Sequence, residues 1–197
     1  MATMIRIMKY LVQHPERGLV LEPKRKWDGK KGFKFIISGR SDSDYAKCLD
    51  TRRSISGTRV FLEGSPVMFK SATQKTVALS VTEAELNAAV LAAQDMLYVK
   101  NVLESMELQV ELPMILEVDN RGCVDLANSW SVGGRTRHID VRQNLLRKLK
   151  EQGTIKVQWV PGNKNDADLF TNKLEGPKYE KFAQTYVGKD KYSPAAK

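Results

Sequence analysis

The sequence predicts an α/β domain built on a five-stranded mixed sheet with flanking helices, in the order β-β-β-α-β-α-α-β-α. Three observations predict it. Two runs rich in β-formers, SGTRVFLEG and PVMFKS, meet across Glu63-Gly64-Ser65 as an antiparallel hairpin. Between residues 82 and 107 the apolar period changes to that of a helix. After it, short apolar runs alternate with helical segments.

Taken in order, Ile5, Met8, Leu11 and Val12 have helical spacing and end near His14-Pro15, so residues 4–13 form a short helix followed by a turn. Residues 22–32 are charged and contain glycine, and read as a loop. From Gly32 the run FKFIIS gives a strand that delivers Asp42 to its end. The hairpin follows. In the next segment Leu86, Val90, Ala93 and Leu97 recur on one stripe, which Ala89, Met96 and Leu103 widen into a long, largely buried helix. PMILEVDN is a short strand closing on Asp119, GCVDLANS is a helix of two turns, and residues 136–151 are a basic helix. IKVQWVP is the last strand of the sheet, with Trp159 in its core, and DADLFTNKL starts the final helix.

The chain of 197 residues suits one substantial α/β core with extensions: residues 1–31, a short helix plus basic loop; 32–176, the α/β domain; and 177–197, a basic C-terminal tail. Cys48 and Cys123 stand far apart and the histidines are His14 and His138, which excludes a Cys/His zinc site within this chain and points to a reducing, cytoplasmic compartment. No apolar run approaches the roughly 20 residues of a membrane span, and MATMIRIMKYLVQHPERG is too interrupted for a secretory signal. The net charge of +9 lies in the flanks. Residues 1–40 hold ten Lys/Arg against three Asp/Glu, whereas residues 41–172 hold sixteen against seventeen. Basic flanks around a near-neutral core suit a polyanion, although they would equally keep a terminus solvated.

Four carboxylates fall at element ends: Asp42, Glu85, Asp119 and Asp168. Brought together they repel one another, so they either shift their pKa values or bind divalent cations. Hard oxygen donors select Mg²⁺, with Mn²⁺ able to substitute. Two such ions would clamp the attacking and leaving oxygens of a phosphoryl displacement, so the candidate chemistry is phosphodiester hydrolysis. Each acid also has a structural alternative. Asp42 and Asp119 follow strands, where Asp forms turns and caps. Two capping boxes overlap around Glu85: Ser80 with Glu83, which frees Glu85 for metal, and Thr82 with Glu85, which makes Glu83 the alternative ligand. Asp166 is the expected N-cap of the last helix, leaving Asp168 for metal. In the basic helix, Arg137 and His138 lie at the start, where they could meet a phosphate, and His138 could transfer a proton. Trp27 and Trp130 are candidates for stacking on bases.

With these residues in place, the chain resembles the ribonuclease H domain of Copia-type (LTR) retrotransposon Pol polyproteins. The resemblance runs in order from about residue 4 to 175, through SDSDYAKCLDTRRSISG, VMFKSATQKTVALSVTEAE, VDN, GGRTRHIDVR and VPGNKNDADLFTNKL. It implies a ribonuclease H fold, with residues 1–31 as the connection into the domain. It also implies hydrolysis of the RNA strand of RNA–DNA hybrids during reverse transcription, beside the reverse transcriptase domain of the same polyprotein and inside a virus-like particle. The four acids carry over as catalytic metal ligands on two ions, Asp42 bridging both. Asn120, Gln74, Arg52 and Arg53 are expected to contact the hybrid, where 2′-hydroxyls mark the RNA strand. The loop PGNKND lacks the histidine found there in many ribonucleases H, and His138 is the candidate to compensate. Two other readings of the same fold are a nucleic-acid-binding module without catalysis and a related nuclease acting on DNA.

Overall fold

The computed structural model describes residues 2–15, 17–128 and 137–187. Its main sheet has five strands. Strands β2 (Ile37–Asp44), β3 (Ile55–Leu62) and β4 (Ser65–Thr73) form the antiparallel meander. The hairpin between β3 and β4 has a two-residue turn in which Glu63 and Gly64 both take positive φ, 52° and 84°. That geometry matches the natural twist of paired strands. Strands β6 (Met114–Val118) and β7 (Ile155–Trp159) then add in parallel, β6 beside β2 and β7 beside β6. This is the mixed α/β sheet expected from the sequence.

The strand starting at Gly32 differs from expectation. It is broken at Ile36 into β2 and a two-residue strand β1 (Lys34–Phe35), which leaves the main sheet to pair in parallel with β5 (Gln109–Val110). Glu63 causes the break. Its backbone N–H donates to the Ile36 carbonyl at 2.9 Å, its carboxylate accepts from the Ile36 N–H at 2.8 Å, and Arg25 holds that carboxylate at 2.6 Å.

Helix α1 (Ala2–Gln13) precedes the sheet. Helix α2 (Val81–Ser105) lies across one sheet face. Its buried Ala84, Ala88, Ala89, Ala92 and Ala93 allow close approach, and at Gly39 a β-carbon would lie 2.5 Å from the Met96 sulfur. The core between them includes Ile37, Val60, Leu86, Met96 and Leu116. The Ser80 hydroxyl caps α2 by accepting from Glu83 N–H at 3.1 Å, and the Glu83 carboxylate turns back to accept from Leu79 N–H at 2.8 Å. Replacing Ser80 by alanine should therefore cost about 1 kcal/mol in denaturant unfolding. An unchanged midpoint would show that the cap is redundant.

Helices α3 (Arg121–Asn128) and α4 (Arg137–Glu151) connect β6 to β7, with Leu146 and Leu149 of α4 buried in the same core. After β7 come two 3-10 turns, Gly162–Lys164 and Asp166–Phe170, and then helix α5 (Gly176–Val187). The final helix thus starts later than DADLFTNKL implied. Thr171 and Asn172 bond to Asp42 and Asp168, which pulls the chain out of helical course, and Pro177 is accommodated in the first turn of α5. Residues 177–187, expected as tail, belong to that helix, and Phe182, Ala183 and Tyr186 are buried. Among the described residues no helix is long and apolar enough to cross a membrane.

Candidate active site

Strand β2 carries Asp42 two residues before its end, β6 delivers Asp119 immediately after its last residue, and the second turn of α2 brings Glu85 across from the other sheet face. One carboxylate oxygen from each lies within 4.8 Å of the others. The neighbouring parallel strands β2 and β6 end here, the position where open α/β sheets assemble their sites. Because Ser80 is the cap and Glu83 is engaged with Leu79, Glu85 is left to face the cluster.

Each acid is held. Glu85 Oε1 accepts from the Ser43 amide at 3.1 Å and the Ser43 hydroxyl at 2.7 Å, whereas its buried Oε2 has no partner among the described residues. Asp42 accepts from the Thr171 hydroxyl. Trp159 donates its indole N–H to the Asp119 carbonyl at 3.0 Å, and the Arg121 guanidinium sits 4.6 Å from the centre of that indole. Asp168, on the second 3-10 turn, lies outside this group of three, unlike the expectation of four converging acids, but is near enough for its charge to act on both Asp42 and Asp119. Its own oxygens accept from Asn172 Nδ2 at 2.7 Å and from the Lys178 ammonium.

Burial pushes Asp42 up to about 7, against the Thr171 bond and with added repulsion from Asp119 and Asp168. Burial likewise pushes Glu85 up to about 8, opposed by the Ser43 hydroxyl and reinforced by Asp42 and Asp119. Asp119 is raised by burial too, with Asn165 opposing. A divalent cation fits this donor set: three hard carboxylates converge, their ionised forms are destabilised by burial and mutual repulsion, and one buried oxygen lacks any partner.

The turn carrying Asp168 is fixed by residues whose roles depend on partners remote in sequence. Asn165, not Asp166, caps it: Asn165 Oδ1 accepts from Ala167 N–H at 3.3 Å and its Nδ2 donates to the Ser41 carbonyl at 2.8 Å. Asp166 is drawn away by two arginines of the sheet, Arg40 at 3.0 Å and Arg59 at 2.5 Å. Thr171, Asn172 and Lys178 also stand here, and nothing in residue type alone marked them.

Among the expected hybrid contacts, Gln74 is buried. Its Nε2 donates to the Ser56 hydroxyl and the Ala84 carbonyl, both at 2.9 Å, and its Oε1 accepts from Asn87 at 2.8 Å, so it ties β4 to α2 and is not free for a ligand. Asn120 adjoins Asp119, but its Oδ1 accepts from Cys123 N–H at 2.8 Å and caps α3. Arg52 and Arg53 lie on an exposed loop between β2 and β3. The side chains of Arg137 and His138, and all of Trp130, lie outside the described residues. Trp159, expected in the core, is 42% exposed because β7 is the sheet edge. A cleft of about 730 Å³ between β4, α2 and α4 is lined in part by Lys75 and by Arg142 and Lys148 of the helix that the sequence marks as basic.

No protein-family model matches the chain. It is 32% identical over 145 residues, 74% of its length, to the retrovirus-related Pol polyprotein from transposon TNT 1-94 of Nicotiana tabacum. It is 28% identical over 178 residues, 90% of its length, to that from transposon RE1 of Arabidopsis thaliana. The chain spans only 11% and 12% of the length of these relatives. In structure it is similar to LC11 ribonuclease H1, isolated from compost by a metagenomic approach, with a TM-score of 0.52 and 17% identity, over 71% of this chain and 93% of that one. The fold and its acidic cluster define a ribonuclease H-like domain. More particularly, the chain is a ribonuclease H domain of the kind that belongs to retrotransposon Pol polyproteins.

Proposed function

We propose that this domain is a metal-dependent endoribonuclease that hydrolyses the RNA strand of RNA–DNA hybrids during retrotransposon reverse transcription. The observation that carries this reading is the convergence of Asp42, Glu85 and Asp119 within 4.8 Å, in a fold shared with ribonucleases H. These three, with Asp168 beside them, would hold Mg²⁺ or Mn²⁺. When bound, such ions activate water and neutralise charge on phosphate. The chain's own residues set the stage. Ser43 and Thr171 orient the Glu85 and Asp42 carboxylates, and Asn165 and Asp166 fix the turn that presents Asp168. Lys75, Arg142 and Lys148 offer a basic surface for the backbone of the duplex, so hybrid affinity should fall steeply with salt. The domain would act beside the reverse transcriptase of the same Pol polyprotein, in the cytoplasm or a virus-like particle.

The test is cleavage of labelled RNA–DNA hybrid, duplex RNA and duplex DNA in Mg²⁺, by the native chain and by Asp119→Asn. The expected result is cleavage confined to the RNA of the hybrid, reduced by on the order of 10³-fold or more in the variant, as when one member of a catalytic unit is removed. Tight hybrid binding without cleavage would identify a binding module instead, and cleavage of duplex DNA would identify a DNA nuclease.

A further inference from the structure

Asp168 differs from the other three acids in how it is neutralised. Glu85 leaves a buried oxygen without a partner, but both oxygens of Asp168 are engaged, one by the Asn172 amide and the other by the Lys178 ammonium. Lys178 is half-exposed, and its ammonium lies 5.8 Å from the centre of the Phe182 ring one helical turn on. Phe182 is buried and helps anchor α5. The docking of that helix therefore sets a positive charge at the mouth of the cluster, close enough to act on Asp119 as well.

We infer that Lys178 is a tethered counter-ion at Asp168, which a second divalent cation must displace in order to bind there. This rests on the metal-binding reading of the cluster. A cation approaching Asp168 meets a carboxylate already paired and an ammonium that repels it, whereas among the described residues no cation forms an ion pair with Asp42, Glu85 or Asp119. Cation binding is accordingly graded into a tighter class at the three clustered acids and a weaker class at Asp168. The weaker class is set by how readily one half-exposed lysine swings into solvent.

The experiment is a Mn²⁺ titration of the metal-free full chain, read by calorimetry and by the loss of the free-ion paramagnetic resonance signal. It compares the native protein with Lys178→Met, Lys178→Arg and Asp168→Asn, each first shown by thermal melting to be folded. Two binding classes are expected in the native chain. Lys178→Met should tighten the weaker class by about three- to fivefold and leave the tighter one within about twofold, the scale of a partly exposed ion pair. Lys178→Arg should behave as native, and Asp168→Asn should remove the weaker class. A single binding class in the native chain, or two classes that Lys178→Met leaves unmoved, would overturn the inference alone. Failure of all four proteins to bind Mn²⁺ would overturn the metal-binding reading and the inference with it.

Discussion

Replacing Asp42 by asparagine is expected to raise the melting temperature of the metal-free protein at pH 8 while it abolishes metal-dependent cleavage. Both effects come from one buried carboxylate. Asp42 is raised to about 7 and Glu85 to about 8, mainly by burial, whereas in the unfolded chain both titrate near 4. Between those limits the native state binds more protons than the unfolded state, so metal-free stability must fall as pH rises from about 4 through about 8. Below that window both groups are protonated in either state and the penalty vanishes; above it the penalty is complete, on the order of a few kcal/mol. Asparagine cannot ionise and can still accept from Thr171, so the variant should show a shallower slope. Mg²⁺ should stabilise the native chain most at pH 8, where its ligands are charged, and the variant much less. Thermal melts from pH 5 to 9, with chelator and with Mg²⁺, check this. A flat profile for the native chain in chelator would show that the acids are not in mutual conflict.

The physics behind that conflict is local to sequence, which is why much of the site was legible. Strand-end acids after IIS and ILEV, and a glutamate freed by a preceding capping box, are consequences of short-range pattern. The strong helical period of residues 82–107 allowed little else than α2. What escaped reading depends on partners remote in sequence. Nothing around Ile36 announces a strand break, because the carboxylate that breaks it belongs to Glu63. Asp166 looks like a cap until Arg40 and Arg59 of the sheet claim it, and the role then passes to Asn165. Gln74 sits in a motif-bearing segment but is engaged inside the fold. Lys178 looked like one more charge in a basic tail, since only the docking of α5 reveals that it faces Asp168.

Gly57→Ala tests how rigidly the fold holds this turn. Gly57 is paired with Asp42 across the β2–β3 ladder, within the DTRRSISG segment that carried the resemblance. A β-carbon there would lie 2.7 Å from the Ala167 carbonyl oxygen, 2.8 Å from Thr171 Cγ2 and 3.1 Å from Phe170 Cβ. The nearest of these is backbone and cannot rotate away. Nor is the turn free to retreat, because Asn165 is bonded to the Ser41 carbonyl, Asp166 to Arg40 and Arg59, and Thr171 to Asp42. The variant should lose about 2–3 kcal/mol, typical of overpacking a close contact. Displacing Asp168 and Thr171 by a fraction of an ångström should also lower cleavage by on the order of 10- to 100-fold. Gly153→Ala is the control. Gly153 has φ of +64° but nothing within 4 Å of an added β-carbon, so alanine there should cost about 1 kcal/mol of backbone strain and leave cleavage unchanged. If Gly57→Ala is no worse than Gly153→Ala in both melting and turnover, the turn is compliant, and the position of Asp168 is set by its own partners Asn172 and Lys178 instead of by packing against β3.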